Sequence, residues 1–391
     1  MRRLYLDLAA TSPIHPKAFA EYVRASAEYI GNPSSPHSEG HKARRAIEEA
    51  REKIAQLMGC GHAQQIIFTS GGTESNNIAM EILQPRDEEY DEIEKVITTP
   101  LEHHSAQRNI RDRTETKICD NGVVDEAEYW DRLKSRSKLH IPCHSSIQFA
   151  NADIGTIQDI RELSETFKDL SDGYFFTDAV QAVGHIPINM QELENVDFLS
   201  ASAHKFGGVK GVGFLYVAEY DIGFPKLMYG GKQEVGMRAG TENVPAIIAM
   251  AKALECSLEN LDEKIARERE VQKRLIEGLS LIPDAELNGV DPLEDPEHRL
   301  PNNVSFSFKG IFGDTLVALL DAEYNIQISA GAACETGSMN GNRIVRALGK
   351  SDELAKGTIR ITFPEDITDE EVDYVLKAIT DGVKKLRNTR R

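Results

Sequence analysis

The sequence predicts an α/β protein with a mainly parallel central sheet, accompanied by a smaller α+β domain. Apolar strand-like runs alternate with polar helical stretches up to about residue 260, which is typical of βαβ units. A long charged helical pattern at 245–281 then leads into a second group of strand-like runs. The chain of 391 residues is also longer than one compact core usually accommodates, which favours two domains.

The predicted elements follow from these runs in chain order. The first group of strands is expected at 66–69, 95–98, 174–177, 196–199 and 213–217, with helices at 41–58 and 157–170 between them. The second group is expected at 303–308, 326–329 and 358–363, and the acidic stretch 291–297 is expected to form a surface loop. Ligands of α/β domains bind at the carboxyl ends of the strands, so the segments after these strands are the candidate sites.

Composition and charge exclude several classes of function. Hydrophobic residues make up 40% of the chain, and no apolar run is long enough to span a bilayer. Arg2 and Arg3 are not followed by the apolar segment of a signal peptide, so a cytoplasmic location is expected. The formal charge of −18, from 63 acidic and 45 basic residues, repels phosphates and anionic lipids. We therefore expect no direct nucleic-acid partner and no membrane partner.

The cysteine pattern points to one reactive thiol. The five cysteines are scattered, and none of them forms a C-x-x-C pair; they are Cys60, Cys119, Cys143, Cys256 and Cys334. Such a pattern predicts neither a disulfide framework nor a metal site. Cys334 alone lies in a run of small residues with two glycines, at 329–338. This composition is typical of an accessible loop, whereas a structural cysteine usually has bulky apolar neighbours.

Two segments after predicted strands could hold a phosphate and a covalent cofactor. The run Thr-Ser-Gly-Gly-Thr-Glu-Ser-Asn-Asn at 69–77 follows a strand, and its Gly72 and Thr73 would open a helix whose free N–H groups favour an anion. A plain strand–turn–helix junction would look similar. Lys205, in Ser-Ala-His-Lys at 202–205, also follows a strand, where burial can deprotonate an amine for covalent catalysis. A surface loop is the alternative, and Lys210 is the competing lysine.

Three further side chains have both a chemical and a structural interpretation. Asp178 ends a strand and could pair with a protonated ring nitrogen of a cofactor, or simply cap a helix. His103, in Glu-His-His-Ser at 102–105, could stack on a planar ring and move protons, or be structural. Arg360 falls in an alternating strand and could bind a carboxylate with two hydrogen bonds, or form a salt bridge at the rim.

Taken in order, these motifs resemble the cysteine desulfurases, a class V branch of the fold-type I pyridoxal phosphate enzymes. The resemblance covers essentially the whole chain, from residues 6–11 to the last helix, with further matches at 31–37, 197–205 and 230–241. It implies a fold-type I transferase that forms a homodimer. It also implies a large cofactor domain at 15–260 and a small domain made of 1–14 and 261–391, which carries the cysteine loop.

The resemblance assigns roles around the cofactor, pyridoxal 5′-phosphate. Lys205 is similar to the Schiff-base lysine, and Gly72, Thr73, Ser202 and His204 are similar to residues at the cofactor phosphate.

Other positions of the match concern the ring and its surroundings. Asp178 is similar to the partner of the ring nitrogen, Gln181 to the residue at the phenolic oxygen, and His103 to the stacking acid–base histidine. Thr241 resembles a residue that reaches the phosphate of the partner subunit. Asn151 would contact the phenolic oxygen only with a shift of its loop, because the family's second asparagine is Ala152 here.

The implied reaction converts L-cysteine to L-alanine. Arg360, helped by Asn32, resembles the clamp on the substrate carboxylate, and freed Lys205 would remove the α-proton. The thiolate of Cys334 would attack the substrate sulfur and keep it as a persulfide for an acceptor, such as an iron–sulfur scaffold or a thiolation enzyme.

The sequence also departs from the family pattern. The family has Asn-Asn-Glu where this chain has Asn-Ala-Asp at 151–153, a glycine where Lys232 stands and a proline where Val209 stands. Two alternatives therefore stay open: a related class V enzyme, such as a selenocysteine lyase or an aminotransferase, and a sulfur-relay scaffold with little turnover.

Overall fold

The computed structural model describes residues 3–84, 95–138, 143–219, 228–331 and 341–389. Its helices are α1 (Pro16–Glu28), α2 (Ser38–Leu57), α3 (Gly72–Leu83), α4 (His104–Gln107), α5 (Glu126–Lys138), α6 (Ile160–Leu170), α7 (Val244–Leu258), α8 (Leu261–Ser280), α9 (Gly313–Leu319), α10 (Arg343–Ala347), α11 (Asp352–Lys356) and α12 (Asp369–Thr389). Its strands are β1 (Leu4–Tyr5), β2 (Ile66–Thr69), β3 (Lys95–Thr98), β4 (Arg113–Glu115), β5 (Cys143–Ser146), β6 (Phe175–Asp178), β7 (Phe198–Ser202), β8 (Gly213–Val217), β9 (Ala285–Leu287), β10 (Asn303–Phe308), β11 (Ile326–Gln327) and β12 (Thr358–Thr362).

A seven-stranded sheet forms the centre of the larger part of the molecule, in the order β2-β8-β7-β6-β5-β3-β4. The strands β7, β6, β5, β3 and β4 pair in parallel, whereas β8 runs antiparallel to both of its neighbours. The carboxyl ends of the parallel strands therefore meet at one edge of the sheet. The prediction of a mainly parallel sheet is confirmed.

Both faces of this sheet are covered by apolar packing. In β8, Phe214 and Tyr216 enter one core cluster, while Leu215 and Val217 enter another. The same alternation holds in β2, β3, β6 and β7. Because successive side chains of a strand point to opposite faces, a strand covered on both sides reads as a continuous apolar run.

A second core lies apart from the first and gathers the two ends of the chain. The strands β12, β10 and β9 form an antiparallel sheet, and β1 pairs in parallel with β11. Leu4 and Leu6 pack in this core with residues of 271–383. A small cluster that includes Leu101 and Ile344 connects segments of the two parts.

The predicted single helix at 245–281 is wrong, because the structure has two helices there. The helical path is interrupted between α7 and α8 at Asn260, whose φ of 56° lies in the left-handed region. Asparagine adopts this conformation more readily than most residues, so it can end one helix and start another. None of the helices in the described part of the chain is long and apolar enough to cross a membrane.

Candidate active site

The ends of four parallel strands border a cavity of about 270 Å³. Asp178 is the last residue of β6, and the segments that follow β3, β5 and β7 contribute His103, Asn151 and Lys205. The start of α3 and a strand of the second core also line the cavity. The predicted residues in its wall are Gly72, Thr73, His103, Asn151, Asp178, Gln181, Ser202, His204, Lys205 and Arg360.

Lys205 lies on a single turn of 3₁₀ helix directly after β7. Its Nζ donates to the carbonyl oxygen of Ala9 at 2.6 Å and to that of Ala10 at 3.0 Å. The Lys205 carbonyl accepts hydrogen bonds from Ser12 Oγ at 2.7 Å and from His185 Nε2 at 3.1 Å, so the backbone is held as well. The competing Lys210 is exposed and does not line this cavity.

The start of α3 offers an anion site beside Lys205. The first N–H groups of a helix have no acceptor within it, and Gly72 and Thr73 are the first residues of α3. Gly72 is closely packed, since an added Cβ would lie 2.6 Å from Cγ2 of Val180. An added Cβ at Gly71 would lie 3.5 Å from Oγ of Ser202, so that hydroxyl is near the helix start.

His204 borders the same cavity and is neutral at pH 7. Burial lowers the pKa of His204 to about 4, and the charges of Lys205 and Lys210 act in the same direction. Its Nδ1 lies 3.2 Å from Oγ1 of Thr11. A neutral imidazole can give one hydrogen bond to an anion without a second buried positive charge.

Asp178 is a buried carboxylate at the end of β6. Its Oδ2 accepts a hydrogen bond from Asn76 Nδ2 at 2.7 Å, and its Oδ1 accepts one from the backbone N–H of Val180 at 3.0 Å. Both partners are neutral, so the negative charge remains available to a cationic group of a ligand.

His103 caps the short helix α4, whose N–H at Ser105 donates to Nδ1 of His103 at 3.2 Å. Burial lowers the pKa of His103, and the positive charges of Lys205 and His104 act the same way, while Asp178 and Asp153 oppose them. Because Nδ1 accepts, the hydrogen of the neutral ring lies on Nε2.

Arg360 reaches the cavity from β12, in the second core, and is buried with 3% of its surface exposed. Its guanidinium forms ion pairs with Asp7, at 2.6 Å from Nη2 to Oδ1, and with Asp153, at 3.1 Å from Nη1 to Oδ1. A ligand carboxylate that binds Arg360 must therefore compete with the carboxylates of Asp7 and Asp153.

Gln181 and Asn151 line the cavity, but other contacts use their amides. Gln181 Nε2 donates to the carbonyl of Ala9 at 3.0 Å, the same oxygen that Lys205 contacts. Asn151 Oδ1 accepts from the backbone N–H groups of Asp153 at 2.8 Å and Ile154 at 3.0 Å, and its Nδ2 donates to Leu101. Asn151 therefore stabilises a turn, and its role at a cofactor stays a prediction.

Two of the predicted residues that the structure describes are not brought to this cavity. Thr241 and Asn32 are exposed and lie outside its wall, and Asn32 Oδ1 accepts the backbone N–H of Ser34 at 2.9 Å. Cys334 lies outside the described residues, within 332–340.

Sequence reasoning missed Glu102, which is fully buried at the cavity. Burial raises the pKa of Glu102 to about 8. Its Oε1 accepts from Thr99 Oγ1 at 2.8 Å and from the backbone N–H of Gln148 at 3.0 Å. The only signal in the sequence was its position next to His103. Asn76, Ser105 and Asp153 were missed as well.

Comparison with known proteins identifies the class. The family model for class-V aminotransferases matches residues 4–375, so the chain belongs to that family. Within it, the chain is 40% identical to a cysteine desulfurase IscS of Dictyoglomus turgidum, over 99% of this chain and 96% of that protein. The chain therefore belongs to the cysteine desulfurases, and the prediction of an enzyme of this family is confirmed.

Solved structures agree with this assignment. A protein described as NifS-like superposes with a TM-score of 0.86 at 33% identity, covering 98% of this chain and 100% of that one. A structure described as SspA in complex with cysteine gives a TM-score of 0.73 at 27% identity, covering 93% of this chain and 99% of that one. The predicted fold class is confirmed.

Proposed function

We propose that this enzyme is a pyridoxal phosphate-dependent cysteine desulfurase that converts L-cysteine to L-alanine and transfers the sulfur to Cys334. One observation carries the proposal. An amine, a carboxylate, an imidazole and a glycine-lined helix start border the same cavity, as Lys205, Asp178, His103 and Gly72.

The residues of the cavity fit the cofactor. The N–H groups at Gly72 and Thr73, with Ser202 and neutral His204, would hold the phosphate. The Asp178 carboxylate, hydrogen-bonded only to neutral groups among the described residues, would pair with a protonated ring nitrogen. Pyridoxal phosphate, when bound, supplies an electron sink that makes the substrate α-proton labile.

The remaining chemistry belongs to the chain itself. Lys205 Nζ would hold the cofactor covalently and then accept the substrate α-proton. Arg360 would orient the substrate through its carboxylate, and His103 would donate a proton as the imidazolium and so return to its neutral form. The Cys334 thiolate would attack the substrate sulfur, so that the new S–S bond forms as the C–S bond breaks and the persulfide stays on Cys334.

The quaternary arrangement and the partners are part of the proposal. A homodimer is supported by exposed apolar residues near Thr241, since Tyr229 is 83% exposed and Val235 is 58% exposed. Light scattering should give a dimer, and a fully active stable monomer would contradict it. The persulfide would pass to an acceptor protein, such as an iron–sulfur scaffold or a thiolation enzyme. The cytoplasmic location stays a prediction.

The division into two domains is also proposed, with 15–260 as one and 1–14 plus 261–391 as the other. Two separate apolar cores support it, because the second core contains Leu4 and Leu6 together with residues after 270.

The test of the cofactor assignment is covalent mapping. The purified protein should be yellow, and borohydride reduction followed by peptide mapping should find the label on Lys205. Lys205→Ala should lose the label and essentially all alanine production from cysteine, while the control Lys210→Ala should keep both. A label on Lys210 would contradict the assignment.

The same assay distinguishes a cysteine desulfurase from a sulfur-relay scaffold. The scaffold is an alternative because Ala152 stands where the family has an asparagine. A scaffold would carry the label on Lys205 but produce almost no alanine from cysteine.

A further inference from the structure

Asn76 lies in the second turn of α3 and connects two parts of the cavity wall. Its side chain is almost completely buried, with 1% of the residue exposed. The amide nitrogen Nδ2 is 2.7 Å from Oδ2 of Asp178 and 2.8 Å from Oγ of Ser105. An amide nitrogen carries two hydrogens and accepts none, so Asn76 donates one to each partner.

Ser105 continues the contact to His103. Its Oγ lies 2.6 Å from Nδ1 of His103, while its backbone N–H donates to the same nitrogen. The Ser105 oxygen already accepts from Asn76, and Nδ1 acts as an acceptor, so the hydroxyl hydrogen points to His103. The hydrogen bonds therefore run in one direction, from Asn76 to Ser105 to His103.

We propose that Asn76 and Ser105 are positioning residues that couple the Asp178 carboxylate to the His103 imidazole. The Asn76 amide fixes Asp178 with one hydrogen and Ser105 with the other. The Ser105 hydroxyl then holds Nδ1 of His103 as an acceptor, which fixes the orientation of the ring and places the hydrogen of the neutral imidazole on Nε2. The inference rests on the proposed function, because it assigns supports to the histidine of that reaction.

Among the described residues, the charged or titratable groups that act on His103 are Lys205, His104, Asp178 and Asp153. Lys205 and His104 disfavour its protonated form, and Asp178 and Asp153 favour it. Asn76 and Ser105 add no charge to this set. Their removal should therefore change the orientation and hydrogen bonding of the imidazole rather than the charge around it.

The helix provides a matched control. Asn77 is the next residue of α3, but its Nδ2 donates to the Thr73 carbonyl at 2.7 Å, and its Oδ1 accepts from Asn109 at 2.8 Å. It does not line the cavity. Asn77→Leu therefore makes the same chemical change as Asn76→Leu on the same helix, without removing a hydrogen bond to Asp178 or to the Ser105 hydroxyl.

The experiment measures kcat and KM for alanine production from cysteine in Asn76→Leu, Ser105→Ala, the double variant and Asn77→Leu. Each single change at Asn76 or Ser105 should lower kcat about tenfold with KM nearly unchanged, because the supports of His103 and Asp178 are lost while Arg360, which would bind the substrate carboxylate, keeps its contacts. If Asn76 acts on His103 through Ser105, the double variant should also lose about tenfold, not a hundredfold. Asn77→Leu should keep the wild-type kcat.

A second readout does not depend on activity. In cofactor-free protein labelled with ¹⁵N-histidine, the Nδ1 resonance of His103 should move in Asn76→Leu and Ser105→Ala and stay in place in Asn77→Leu. The inference is overturned if the losses in kcat multiply in the double variant, or if the Nδ1 resonance is the same in Ser105→Ala as in wild type. Ser105→Ala removes one oxygen atom and decides the question even if Asn76→Leu does not fold. A wild-type protein that makes no alanine would instead contradict the proposed function.

Discussion

The two halves of the cavity hold their charged groups in different ways. In the half formed by the strand ends, Lys205 and Asp178 are hydrogen-bonded to neutral groups, namely backbone carbonyls and an amide. In the half formed by β12, Arg360 is paired with the carboxylates of Asp7 and Asp153. The Asp178 carboxylate therefore keeps its charge available for a cofactor, whereas a substrate carboxylate must compete at Arg360 for a cation that is already paired.

The largest expected effect separates cofactor binding from sulfur transfer. Cys334→Ser should keep the yellow colour and the label on Lys205, because neither depends on the thiol. Alanine production should fall on the order of a thousandfold, since a serine hydroxyl is hardly ionised at neutral pH. Mass spectrometry after incubation with cysteine should find a persulfide on Cys334 in the wild type and none in the variant.

Two other cysteines serve as controls for that prediction. Burial raises the pKa of Cys60 to about 12 and also raises the pKa of Cys256, so neither thiol is ionised at pH 7. Substitution of either by serine should leave turnover nearly intact. If Cys334→Ser made alanine at a near-normal rate, a lyase that expels sulfur directly would be the better interpretation.

The next effect tests whether Arg360 binds the substrate. Arg360→Lys keeps the positive charge beside Asp7 and Asp153 but loses the paired N–H groups of the guanidinium. We expect kcat/KM to fall about thirtyfold, mainly through KM, since a charge-assisted hydrogen bond contributes about 2 kcal/mol. The visible spectrum of the bound cofactor should not change.

The control for Arg360 is Arg343, which lines the same cavity. Its Nη2 donates to the backbone carbonyl of Glu102 at 2.9 Å, which suits a structural role. Arg343→Lys should therefore change KM little. If KM rose equally in Arg360→Lys and Arg343→Lys, the assignment of Arg360 rather than Arg343 as the residue that binds the substrate carboxylate would be contradicted.

The sequence predicted the position of the residues in the strand-end half of the cavity, but it did not predict the contacts of Arg360 in the other half. Asp178 ends a strand, Lys205 and His103 each follow one, and parallel strand ends meet at one edge whatever the details of packing. The alternation of strands and helices in the sequence was therefore sufficient to predict that these three side chains lie close together. The pairing of Arg360 with Asp7 joins residues 353 positions apart, and that of Asn76 with Asp178 joins residues 102 apart. Contacts of this kind depend on how whole layers pack, which leaves no local pattern in the sequence.

The smallest effect has the opposite sign and tests the competition at Arg360. Asp153 stands where the family pattern has a longer glutamate, and one of its oxygens is 3.1 Å from Nη1 of Arg360. Asp153→Asn keeps an oxygen that can accept from Arg360 but removes one negative charge. With one competitor neutral, a substrate carboxylate should bind more tightly.

We expect KM for cysteine to fall about threefold in Asp153→Asn, which corresponds to about 0.6 kcal/mol, with kcat nearly unchanged. Asp153→Glu is the matched control, because it keeps the charge and should leave KM near the wild-type value. Steady-state kinetics at pH 7 would measure both. A rise of KM in Asp153→Asn would mean that the ion pair orients Arg360 for the substrate, and the two carboxylates would then have to be regarded as supports of the clamp rather than as competitors for it.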